Sequence, residues 1–90
     1  MARIHAALNG DYSIDRLVAW LAKVEDHQND ALFWAACRAV EAGASDADLG
    51  RLVEVYVDIS IPGHRRGPNT WRGGWATIDS ARRQVRGDAA

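Results

Sequence analysis

Five residues in one stretch of this chain carry chemistry beyond packing: His64, Arg65, Arg66, Trp71 and Arg72. Guanidinium groups pair bidentately with phosphate oxygens, and an exposed indole offers a nucleobase a face to stack on. Together they have the make-up of a single-stranded nucleic-acid contact. Arg65, Arg66, Trp71 and Arg72 are therefore the candidate nucleic-acid-binding residues. They lie among Pro62-Gly63, Gly67-Pro68-Asn69 and Gly73-Gly74, turn signals that read as a basic loop rich in Gly and Pro. The other reading of such a loop is a solvated connection whose Trp71 and Trp75 fold back onto the core.

No pattern for covalent or metal chemistry accompanies this stretch. His5, His27 and His64 fall in separate segments and Cys37 is the single cysteine, so no zinc spacing exists. There is no glycine-rich phosphate loop, no Gly-x-Ser-x-Gly elbow and no nucleophile with a base nearby in sequence. Asp46 and Asp48 are close carboxylates, but at a helix start they act as first-turn charges. Expected, then, are no catalytic residues, no metal, no cofactor and no enzymatic activity.

Ninety residues are enough for one domain with a single modest core and too few for a two-domain enzyme. The net charge of −1 conceals an asymmetry. Residues 1–59 carry five basic and ten acidic side chains, a balance of −5, whereas residues 60–90 carry six Arg against Asp79 and Asp88, a balance of +4. An electropositive last third suits phosphate, and it equally suits neutralisation against the acidic part of the same fold or of a second copy. No run approaches the roughly 18 apolar residues of a membrane span, and the N-terminus lacks the apolar region of a signal peptide. With one thiol on an apolar helix face, the expectation is a soluble cytoplasmic protein that does not engage membranes.

The elements that must position the basic stretch read as helices. Residues 1–12 lack a sustained period and are expected to form a flexible N-terminal arm, with residues 13–87 a single helical domain. Ser13 is placed to cap a helix over about 14–25, with Leu17, Val18, Leu21 and Val24 on one face and Trp20 at the border of the core. Asn29 is placed to cap a central helix over about 30–42, which Gly43 closes in a left-handed conformation. Its apolar face is Leu32, Phe33, Ala36, Cys37 and Val40, and its alanines allow close neighbours. Ser45 with Asp48 opens a third helix over about 46–59 in a near capping box. Residues 53–59 alternate as a strand would, but the cap and the i+7 match upstream favour helix. Gly50 weakens that helix and suggests close packing. After the loop, helix resumes at Trp75 and runs to about residue 86, where Gly87 supplies the stop. Arg82, Arg83 and Arg86 then favour the negative end of its dipole. Leu17, Leu21, Leu32, Phe33, Val40, Leu52, Val53 and Ile78 are the expected core. The fold class is all-α, a small four-helix orthogonal bundle with a basic Gly/Pro-rich loop before the last helix.

The run Asn29-Asp30-Ala31-Leu32-Phe33-Trp34-Ala35-Ala36-Cys37-Arg38, followed by Gly43 and by Thr77-Ile78-Asp79-Ser80-Ala81, resembles the C-terminal helical module of bifunctional DNA primase-polymerases from phages, prophages and plasmids. The similarity spans about residues 13–86. Members of that family have a short turn and an acidic residue before the last motif, where this chain has a longer stretch over 61–74 without an acid. The resemblance implies a non-catalytic accessory module of a replication protein. Its partner would be template DNA, single-stranded in preference, or a replication polymerase. Two alternatives stand beside it. One is a protein interaction module, including a homo-oligomer, held by exposed Trp and opposite charges. The other is a small prophage regulator with a helix-turn-helix at Gly43-Ala44-Ser45.

Overall fold

The computed structural model describes residues 13–63 and 67–89, with side chains through Gly87. The arm at 1–12 and the residues His64, Arg65 and Arg66 lie outside the described residues. Four helices are present among the described residues: α1 (Ile14–Leu21), α2 (Gln28–Glu41), α3 (Asp46–Asp58) and α4 (Trp71–Ala89). The described residues contain no strand, so the alternation at 53–59 resolves as helix. The chain is a small all-α bundle, as the periodicity predicts.

Each helix begins and ends for local reasons. Ser13 stands at the start of α1 in extended conformation, but its hydroxyl makes no capping bond; its carbonyl accepts from Arg16 N at 3.1 Å and Leu17 N at 3.3 Å. α1 ends at Leu21, short of the expected residue 25. Its last turn tightens instead, with Lys23 N donating to Trp20 O and Val24 N to Leu21 O. α2 starts two residues earlier than expected, because His27 rather than Asn29 is the capping position, in the left-handed region at φ 52°. Asn29 is drawn away by a tertiary bond: its Oδ1 accepts from Thr77 Oγ1 at 2.7 Å.

The far end of α2 matches its sequence signal. Gly43 adopts φ 81°, its N–H donates to Val40 O at 3.0 Å, and Ala44 N donates to Ala39 O at 3.0 Å. That pair of bonds is the Schellman closure and satisfies two carbonyls that the helix itself leaves free. One residue later Ser45 Oγ accepts from Asp48 N at 3.2 Å and opens α3. α2 and α3 are thus joined by a connection both of whose ends are chemically specified.

α4 departs most from the sequence reading. It starts at Trp71, a full turn before Trp75, because Thr70 caps it: Thr70 Oγ1 accepts from Gly73 N at 3.0 Å and Thr70 O from Gly74 N at 2.8 Å. Gly73 and Gly74 are therefore helical rather than turn residues. Nor does Gly87 stop the helix, which continues to Ala89.

The largest interface joins α2 to α4, and α2 also packs on α1 and α3. Small residues make this possible, since Ala35, Ala36 and Ala39 are fully buried beside Leu32. Leu17, Leu21, Leu52, Val53 and Ile78 complete the core as expected, and Cys37 is buried and in no disulfide. Phe33 and Val40 are only half-buried, contrary to expectation. Trp20 is not at the core's border either; it is 43% exposed.

The two mid-helix glycines of the α3–α4 crossing differ in a way that can be measured. A Cβ at Gly50 would lie 3.6 Å from Trp75 Cζ2, an ordinary contact. Gly50→Ala should therefore stabilise the domain by about 0.5–1 kcal/mol through helix propensity. A rise in thermal midpoint would show it; a fall would mean that the helix crossing needs the glycine.

Candidate nucleic-acid interface

Asn69, two residues ahead of Trp71, is held in place by a set of amide hydrogen bonds. Asn69 N–H donates to Ser60 Oγ at 2.9 Å, while Asn69 Nδ2 donates to both Gln28 Oε1 and Tyr56 O at 2.8 Å. Gln28 Nε2 in turn donates to Ile59 O at 3.0 Å and Val24 O at 3.3 Å. Residue 69 is thereby tied to the end of α3 and the start of α2. Thr77 Oγ1, whose one proton serves Asn29 at the shorter distance, also lies 3.2 Å from Gly73 O in the first turn of α4. Burial pushes the Tyr56 phenol above its ordinary pKa, so it stays neutral beside this network.

On this fixed start stand Trp71 and Arg72, on a helix rather than on the loop expected for them. Trp71 is 49% exposed. Arg72 is exposed and has no carboxylate partner among the described residues. The two are brought together by being consecutive in the first turn, whose N–H groups add positive potential. Arg65 and Arg66, the other two candidates, lie outside the described residues. Trp75 behaves differently from Trp71, since it is half-buried and packs against the core.

The remaining cations of the last third divide between the two readings of the charge asymmetry. Arg82 is neutralised within the fold: its Nη2 is bound to Asp46, its Nη1 lies 3.3 Å from Asp79, and its guanidinium sits 5.9 Å from the Trp75 ring centre. Arg83 and Arg86 face solvent. Arg83 Nη2 donates to Ser80 Oγ at 3.2 Å and Arg86 Nε to Arg82 O at 3.4 Å, and neither pairs with a carboxylate among the described residues. Sequence reasoning gave these two only a dipole role. Their helical offset from Arg72 is the signal that could have found them, once α4 is started at Trp71.

Two other surfaces frame this one. A cleft of about 420 Å³ opens beside Asn69, lined by Glu25, Asp26, His27, Asp30, Tyr56 and Ile61 among others. Its carboxylates repel phosphate. Elsewhere Trp20 of α1 and Trp34 of α2, 43% and 42% exposed, meet with ring centres 5.0 Å apart at 55°. Arg38 lies 5.9 Å from the Trp34 ring and is paired to Glu41 at 2.9 Å. The helix after the Gly43-Ala44-Ser45 turn exposes Asp46, Glu54 and Asp58 beside Arg51.

Comparison with known proteins adds nothing to this geometry. No family model, curated protein or solved structure matches the chain. Among the described residues no three His, Cys, Asp or Glu side chains are grouped to hold a metal ion. No helix among them is long and apolar enough to cross a membrane.

Proposed function

We propose that this chain is a non-catalytic accessory module of a phage or prophage DNA replication protein of the primase-polymerase kind, working in the cytoplasm and helping to hold template DNA. The observation that supports it is a half-exposed Trp71 beside an Arg72 that has no carboxylate partner among the described residues, on the anchored first turn of α4, separated from the basic run 64–66 in sequence by residues 67–70. A half-exposed indole stands next to a guanidinium that has no carboxylate partner among the described residues. That is the arrangement by which a base is stacked while its phosphate is neutralised.

Binding of a single-stranded oligonucleotide across a salt series tests the reading. Trp71→Ala should weaken binding by about 1–3 kcal/mol with little change in the salt slope, because stacking releases no counterions. The combined replacement of Arg65, Arg66 and Arg72 by Ala should flatten the slope of log K against log salt by roughly two units, at about 0.7 per phosphate contact. Wild-type protein that shows no salt-dependent binding at about 50 mM salt ends the proposal.

The Trp20–Trp34 pair favours a second reading, in which the module binds a protein, either a replication polymerase or a second copy of itself. Exposed aromatic pairs beside an Arg are the composition of an interface centre. Under that reading Trp20→Ala with Trp34→Ala lowers the mass seen in sedimentation and leaves DNA affinity unchanged.

A further inference from the structure

The outward face of α4 extends well beyond Trp71. Arg72, Ala76, Asp79, Arg83 and Arg86 are all exposed and follow one another at helical spacings, within an arc of about 80° at 100° per residue. Arg72 and Arg86 are fourteen residues apart, about 21 Å along a helix, and Arg72 and Arg83 about 16 Å. The stripe is positive at both ends. Its middle is a methyl group and a carboxylate, Asp79, that shares Arg82 with Asp46.

This distribution discriminates between two ways of meeting phosphate. A strand lying along the stripe would carry its phosphates past Asp79, where they are repelled. A groove crossing avoids the conflict, because the backbones then meet the two ends and the middle faces the groove between them. A major groove about 12 Å wide admits a helix, and long Arg side chains leaning from positions about 16–21 Å apart reach its two edges.

We infer that α4 lies across the major groove of duplex DNA, with Arg72 on one backbone and Arg83 and Arg86 on the other. The inference rests on the proposed reading of the chain as a DNA-binding module. It adds a second binding mode and two residues to it. The single-stranded contact at Trp71 and the duplex contact along α4 share Arg72.

Fluorescence anisotropy with a labelled duplex of about two helical turns, roughly 20 bp, and with a single strand of equal length separates the two. Wild-type protein should bind the duplex with a salt slope of about −2.7, at about 0.9 for each of three neutralised phosphates. Arg83→Ala with Arg86→Ala should flatten that slope by about 1.8 and leave the slope on the single strand as it is. Both side chains are exposed, so an unchanged thermal midpoint verifies that the variant is folded. A duplex slope unmoved in the double variant overturns the inference while leaving the single-strand reading intact. Equal losses on duplex and single strand also overturn it, since the stripe would then be a path for one strand. No salt-dependent binding of either probe removes both the inference and the reading beneath it.

Discussion

Leu52→Ala should cost about 2–5 kcal/mol, against a total stability of about 5–10 kcal/mol for a domain of this size. Leu52 is fully buried on α3, which contacts all three other helices, so the cavity left behind has rigid walls on several sides. The thermal midpoint should fall by roughly 10 °C or more. Phe33→Ala is the informative control. A fully buried Phe would cost about 3–5 kcal/mol, but Phe33 is only half-buried and should cost less than Leu52. A larger loss at Phe33 than at Leu52 would mean that the core is centred elsewhere.

Gly74→Val should be comparably damaging, by about 3 kcal/mol, the upper end of overpacking costs. A Cβ at that position would lie 2.7 Å from Val53 Cγ1 and 3.3 Å from Tyr56 Cδ2, and valine adds two methyl groups to a contact already too short. Val53 is itself fully buried and has nowhere to go. Gly50 and Gly74 sit on opposite sides of one helix crossing, yet substitution should raise stability at the first and lower it at the second. Chemical denaturation of the two variants beside wild type checks the pair, and a Gly74→Val protein as stable as wild type would show that α4 can back away from α3 without loss.

These outcomes mark how far the fold was legible in the residues. Periodicity located α1, α2 and α3, and end signals set the α2–α3 junction, because the caps there act within a few residues: Gly43 closes α2 and Ser45 opens α3 through bonds spanning no more than five positions. The start of α4 was misplaced for the complementary reason. Gly73 and Gly74 have poor helix propensity, and what keeps Gly74 is the close approach of Val53, a contact twenty-one residues away that no local pattern announces. Asn29 misled in the same way, as a capping residue by type whose side chain is spent on Thr77. At the candidate interface, Trp71 and Arg72 were selected by chemistry without knowledge of the element that holds them. Arg83 and Arg86 were passed over because their direction depends on the register of a helix that had been started one turn late.

The Asn69 amide also bears on the order in which the molecule assembles. Its acceptors belong to Gln28, forty-one positions back, and to Tyr56, thirteen back, so neither bond forms until α2 and α3 already stand side by side. The three earlier helices contact one another through short connections with little chain to close, whereas α4 closes the longest loop in the domain. Docking of α4 is therefore expected to complete assembly, and because its interface with α2 is the largest, opening of α4 should uncover the core face of α2 together with the surface that carries Trp71, Arg72, Arg83 and Arg86.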